Sequence, residues 1–353
     1  MKHSPILAAA CLLSSGAALA QSNLTIYGSL DQSVVRISNL AGSDTWRVDP
    51  GTTQPDRIGF RGIEDLGNGL KANFWLEHGF FTDTGSAANP AAFFNRNATV
   101  GLSGGFGALS LGHQPDLMFD WVGKTSNGFL LQNFYAFHPG NFDVLANTFQ
   151  YDNAVRYNTP TWGGLTLGAL YGFGESPAGS KVNRNTSFGG NYQNGPLRVA
   201  AAYSEQNNRV LRGFAPFAAA SGLPASGVMD KVENAGIGAG YRFGEFGVNT
   251  VYTQSKLEAG GTSATMRNLD LGVSWNTASG YTFNAGYTRS DLEDVYWNTF
   301  NLMALYNFSK RTQVYVQGTL QKASDGQVAV INGAGASSDR DLNVIGVGLH
   351  HSF

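Results

Sequence analysis

From Asn23 onward the chain alternates apolar and polar residues for about ten positions at a time, stops at a turn signal, then alternates again. A period of two places successive side chains on opposite faces of a β-strand. Tyr281 to Thr288 sets Tyr281, Phe283, Ala285 and Tyr287 against Thr282, Asn284, Gly286 and Thr288. Asn268 to Trp275 sets Leu269, Leu271, Val273 and Trp275 against Asn268, Asp270, Gly272 and Ser274. Thr299 to Phe308 places Phe300, Leu302, Ala304, Tyr306 and Phe308 on one face, with Thr299, Asn301, Met303, Leu305 and Asn307 on the other.

Each strand therefore has one wet face and one apolar face. Strands of soluble sandwiches are mostly about 5–6 residues long, whereas strands tilted across a bilayer need about 9–11, the length offered here. The connections alternate between short and long. Short turns fall at 65–69, 104–107, 161–164, 194–196, 244–247, 277–280 and 309–311. Long polar or small-residue loops fall at 39–55, 82–90, 114–149, 175–185, 209–231, 258–265, 290–296 and 323–339. These connections predict an all-β fold, a 16-stranded antiparallel transmembrane β-barrel, within the range of even-numbered outer-membrane barrels. Closure follows from the solvent, because a backbone N–H or C=O left unpaired in hydrocarbon costs several kcal/mol and an open sheet has two unpaired edges. A bore of that strand number is too wide to fill with side chains, so a water-filled channel is expected, with short turns and both termini on the periplasmic side.

Composition narrows the class further. Of 353 residues, 46 are Gly, and only 14% are charged while 12% are aromatic, which excludes a disordered chain and a helical bundle. The formal net charge of −2 carries no polyanion-binding signal, so no nucleic-acid partner is expected. Lys2, the apolar run from Ile6 to Leu13 and Ala18-Leu19-Ala20 read as a secretory signal peptide at 1–20, followed by one barrel domain at 21–353. Cys11 lies within that signal, so the mature chain from Gln21 carries no thiol, and neither disulfide nor thiolate metal site is expected.

Several stretches together resemble the Gram-negative general porins, especially the beta-proteobacterial ones. The first is the hairpin from Arg57-Ile58-Gly59-Phe60-Arg61-Gly62 through Asp65-Leu66-Gly67-Asn68-Gly69 to Ala72. Others are Leu24-Thr25-Ile26-Tyr27-Gly28 with Asp31, Phe94-Asn95-Arg96-Asn97, Asn153-Ala154-Val155-Arg156-Tyr157, and a C-terminus ending in Phe353. The resemblance spans essentially the whole mature chain. It implies a homotrimeric outer-membrane porin, surrounded by lipid, that passes ions and small hydrophilic solutes by passive diffusion without a cofactor or metal. It also implies that the third loop, 114–149, folds into the pore, with basic wall residues Arg57 and Arg156 facing loop acids Asp116 and Asp120; strand parity adds Arg61 to that wall. Where relatives usually read Leu-Gly-Arg-Gln, this chain reads Leu111-Gly112-His113-Gln114, which puts a titratable imidazole in the basic wall and leaves the sign of ion selectivity open.

Strand parity tests the wall assignment independently. Ile58, Phe60 and Gly62 share the apolar face, so Arg57, Gly59, Arg61 and Ile63 point into the lumen, as do Arg156, Arg198 and Arg242 by the same count. His113 shares parity with Leu109 and Leu111, so only a bend at Gly112 turns it inward. His78, Arg96 and His351 fall on outward parity, to be sheltered either by a subunit interface or by the aqueous ends of their strands. Catalysis finds no support. The mature chain has five histidines, none in a metal or nucleophile motif, and His351 and Ser352 are adjacent in a strand and so point to opposite faces. Two alternatives to general diffusion remain: a sugar-selective channel with an aromatic slide at Phe129, Phe134, Tyr135 and Phe137, and a non-transporting adhesin or receptor barrel.

Overall fold

The computed structural model describes residues 23–353; the expected signal segment and the mature start at Gln21 lie outside them. The strands are β1 (Asn23–Leu40), β2 (Ser43–Pro50), β3 (Arg57–Gly67), β4 (Leu70–Gly79), β5 (Asn97–Gly104), β6 (Gly107–Pro115), β7 (Gln150–Asn158) and β8 (Leu165–Gly172). They continue as β9 (Asn185–Asn194), β10 (Leu197–Asn207), β11 (Lys231–Phe243), β12 (Phe246–Ala259), β13 (Thr262–Asn276), β14 (Tyr281–Leu292), β15 (Val295–Asn307) and β16 (Thr312–Ala323). A small hairpin, β17 (Val330–Ile331) and β18 (Gly335–Ala336), precedes β19 (Asp341–Ser352).

Seventeen of these strands form one antiparallel sheet. β1 pairs with β19 along one edge, and along the other with β3 from Asn23 to Ser29 and with β2 from Gln32 to Leu40. β2 and β3 are therefore two halves of one stave, and the sheet closes into a barrel of sixteen positions. The last residue completes the seam: Gly28 and Phe353 exchange backbone hydrogen bonds of 3.0 and 3.1 Å. The Phe353 ring lies over Gly28 so closely that a Cβ there would stand 2.2 Å from it.

The predicted faces hold. Leu271 and Leu302 are 51% and 56% exposed, while Asn268, Asp270, Thr299 and Asn301 are buried inside. An apolar exterior around a polar interior is the inverse of a soluble protein and fits a lipid-wetted wall. All seven short turns fall where expected. Three of the eight expected long loops do not: chain reversal needs only residues 41–42, 260–261 and 293–294. The charged residues that read as loop are strand residues beyond the apolar band, tied across or along the hairpins as ion pairs. Lys231 meets Glu258 at 3.6 Å, Arg289 meets Asp291 at 2.8 Å, and Arg36 meets Asp44.

The long loops carry the apolar core inside the barrel. Loop 116–149, with helix α1 (Asn127–Leu130), lays Leu117, Met118, Trp121 and Val122 against Ala200, Ala202 and Val251 of β10 and β12. Loop 208–230, with helix α2 (Ala215–Ser221), packs Phe214 and Phe217 onto Phe142 and onto Leu257, Met266 and Trp297 at the loop ends of β12, β13 and β15. The β17–β18 hairpin covers Val35, Ile37 and Val344 together with Tyr135.

Candidate functional site

The interior is built from three parts: the staves from β2 to β7, loop 116–149 opposite them, and a break between β2 and β3. At that break, residues 51–56 leave the sheet. Buried Asp31 accepts hydrogen bonds from the Thr52 and Thr53 amides at 2.9 and 3.3 Å and from the Tyr315 hydroxyl at 2.7 Å. Asp56 accepts from the amides of Asp31 and Thr82 at 2.7 and 2.9 Å. The resulting lip reaches the loop directly, because the Phe134 amide donates to the Thr52 carbonyl at 2.8 Å.

Loop 116–149 is fixed to the polar faces of the other staves. The Asn127 amide donates to Asp270 at 2.8 Å, and its side chain donates to the Tyr287 carbonyl at 3.1 Å and Thr288 at 3.2 Å. Asn133 donates to Thr319 at 3.2 Å. Fully buried His138 bridges two carboxylates, Nδ1 to Asp143 at 2.6 Å and Nε2 to Asp270 at 3.1 Å. Burial by itself would lower the imidazole, but Asp143 and Asp270 outweigh it and raise its pKa to about 10. Burial raises the Asp143 carboxyl, yet His138 holds it below the usual carboxylate range. A charged imidazole thus ties loop to wall.

Two chambers lie between the loop and the free wall. The outer one, about 840 Å³, is bounded by residues including Arg47, Arg96, His113, Asp152 and Arg209. The inner one, about 260 Å³, is bounded by residues including Arg57, Arg61, Arg96, Glu77, Asp120 and Lys124. Thr52, Pro55, Arg96, Phe134 and Asn147 belong to both, so the lip and the loop tip mark the passage between them.

Of the six residues expected at the site, the structure brings four to the inner chamber or its edge. Arg57 lies 3.7 Å from Glu77 and donates to the Pro55 carbonyl at 3.1 Å. Arg61 stands over the Tyr27 ring, 5.3 Å from its centre. Arg156 pairs with Asp120, whose other oxygen lies 3.7 Å from Lys124. Burial pushes the Asp120 carboxyl up, but Arg156 and Lys124 prevail and hold it below the usual carboxylate range. His113 opens instead on the outer chamber, where its Nδ1 meets Asp152 at 2.6 Å. A register shift between Gly112 and Gln114 turns it there; Gly112 has φ +127°, and a Cβ on it would collide with the Ala98 carbonyl at 2.1 Å. Asp116 lies apart from the chambers: it is fully buried and accepts from Met118 N at 2.9 Å and from the Tyr151 and Ser187 hydroxyls at 2.7 Å. It anchors the base of the loop.

The structure also corrects one parity assignment. Arg96, expected to point outward, points inward and binds Glu77 at 2.7 Å. Asn95 breaks the strand period by bonding both the amide and the carbonyl of Gly79, at 2.7 and 2.9 Å, and this rotates Arg96 into the lumen. His78 and His351 stay outward near opposite ends of their strands, where the Phe93 carbonyl and the Thr312 hydroxyl respectively bond them. Arg96, Glu77, Lys124 and the lip were not among the expected site residues; Gly51 and Pro55 flanking two threonines were the signal for the lip.

An apolar-walled barrel around charged, continuous internal chambers defines a transmembrane channel protein. The chain belongs to the Gram-negative porin family, which it matches over residues 7–326. It is 30% identical to outer membrane porin protein 32 of Delftia acidovorans over the full length of both chains. It is also 30% identical to an outer membrane porin of Bordetella pertussis over 99% of each. Among solved structures it is similar to the anion-selective porin from Comamonas acidovorans, with a TM-score of 0.80 and 25% identity over 94% of this chain and 100% of that one. It is accordingly an outer-membrane channel for passive diffusion.

Proposed function

We propose that the third loop and the lip form the constriction of this porin and that it prefers small anions, with Arg57, Arg61, Arg156 and His113 as the basic wall and Asp120 as the loop acid. The observation that carries this is the charge of the inner chamber: Arg57, Arg61, Arg96 and Lys124 against only Glu77 and Asp120. Glu77 is shared by Arg57 and Arg96, and Asp120 by Arg156 and Lys124, so these four cations already outnumber the two acids and Arg61 adds to the excess with no carboxylate partner among the described residues. In a narrow low-dielectric passage such an excess attracts anions and repels cations, whatever the net charge of the whole chain. The similarity to a porin described as anion-selective supports the same sign. The channel works without catalysis or a cofactor.

Planar-bilayer recording under a potassium chloride gradient tests the proposal. A zero-current potential of anion sign, reduced by Arg61→Gln, is expected; a potential of cation sign overturns it. We extend the proposal to a homotrimer, supported by the outward cluster of His78, Phe93 and Phe94, in which Phe93 stands 74% exposed on loop 80–96 where a neighbouring barrel would cover it. The mass of the unheated protein in detergent checks this.

A further inference from the structure

The inner chamber holds something that a passage for inorganic ions does not require. On the wall, Tyr27 and Trp75 face the lumen beside Arg61, and Trp75 is left 42% exposed. Across the space, the loop presents Phe119 and Phe129, the latter 38% exposed. Aromatic rings on the lipid side of the barrel need no explanation, but rings kept against lumen water do, because each forgoes about 25 cal/mol for every Å² left uncovered. The rings and the unpaired Arg61 bound the same space of about 260 Å³, a size that suits one small organic molecule rather than a column of hydrated ions.

We propose that the inner chamber is a binding site for small aromatic carboxylates. The carboxylate takes the guanidinium of Arg61, which can meet it with two parallel N–H donors, and the ring of the solute covers Phe129 and Trp75. A neutral sugar would also stack on the rings but would leave the excess cation without a partner, so the charge favours the acid. This assignment rests on the anion-preferring reading above and specifies its substrate class.

The test is single-channel chloride current with benzoate, acetate or maltose added. Benzoate is expected to interrupt the current at a concentration about tenfold below that of acetate, the ratio that about 1.4 kcal/mol of ring burial gives. Phe129→Ala combined with Trp75→Ala should bring that ratio toward one, Phe129→Tyr should keep it, and Arg61→Gln should raise the blocking concentration of both acids. Equal block by benzoate and acetate in a channel that still prefers chloride overturns the site alone. So does a ratio that survives loss of both rings, or maltose acting at lower concentration than benzoate. A zero-current potential of cation sign overturns the anion reading and the site with it.

Discussion

Replacing His138 by alanine should free the middle of the third loop while leaving the barrel closed. His138 is the only positive group in contact with Asp143 and Asp270 among the described residues, and all three are buried. Its removal leaves two carboxylates in one dry site, and breaking a buried pair from one side costs about 3–5 kcal/mol. The pKa supports that size: a rise to about 10 from an ordinary value near 6.5 is several kcal/mol of preference for the charged form at a fully buried position. The loop's remaining anchors, at Asp116, Asn127 and Asn133, hold its ends and tip, so the change is local release rather than unfolding. The pH dependence has a definite sign. Because folding raises the His138 pKa, its contribution is complete below about 6.5 and is lost as pH climbs through about 10. Because Asp143 is depressed, its contribution is present above about 3.9 and is lost as pH falls through its lowered value. Open-channel noise and mean conductance in a planar bilayer read the outcome: both should rise in His138→Ala at neutral pH, and in the native channel as pH climbs through about 10 or falls through the lowered Asp143 value. Native noise and conductance in a folded His138→Ala barrel, judged by unheated gel mobility, would refute the latch.

Three further outcomes follow from the same contacts. Asp120 is held ionised below the usual carboxylate range, so its neutralisation should add to the anion preference only below about pH 4; zero-current potentials of the native channel and of Asp120→Asn read it, the variant showing the increased preference already at pH 7. Asp116→Ala should lower thermal stability by about 1–3 kcal/mol, because Tyr151 and Ser187 lose a buried acceptor, while the zero-current potential keeps its value. Gly28→Val should displace the Phe353 ring from the closing seam and lower the melting temperature by an amount equivalent to about 1–3 kcal/mol, measured by the loss of heat-modifiable mobility.

Strand parity made the wall legible because the period of two is a property of each strand alone. The inward placement of Arg57, Arg61 and Arg156 followed from their immediate neighbours. Arg96 escaped that count because one side-chain contact, Asn95 to the Gly79 backbone, resets the phase just before β5, and nothing in the alternation announces it. Asp116 and Asp120 look alike in sequence, two acids at the start of a loop. Their difference lies in partners far along the chain: Tyr151 is 35 residues and Ser187 71 residues from Asp116, while Asp120 meets Arg156. The lip was hidden for another reason. Its residues read as the end of one long loop, 39–55, whereas β2 within that span pairs with the upper part of β1, so that only residues 51–56 leave the sheet.

The way the loops are held follows from the inverted polarity of the barrel. A soluble protein docks a loop by covering apolar side chains, but midway along the wall the inward face here is Asn249, Thr253, Asn268, Asp270 and Thr288, residues that must satisfy hydrogen bonds when covered. The third loop therefore meets that zone with polar and charged groups of its own, Asn127, His138 and Asp143. Apolar docking of the third loop is limited to small wall residues, Ala200, Ala202 and Val251 under Leu117, Met118, Trp121 and Val122, and it dominates at the loop ends of β11 to β15, where inward parity carries Val232, Leu257, Met266 and Trp297 under Phe214 and Phe217. The two kinds of anchor answer to different perturbations. Mid-wall contacts should respond to pH and to removal of a single charge, whereas the cover above should respond to cavities in its core and be indifferent to both. That division keeps the inner chamber charged while the space above it is closed on one side, and it leaves the chambers against the staves from β2 to β7, where the guanidinium groups stand.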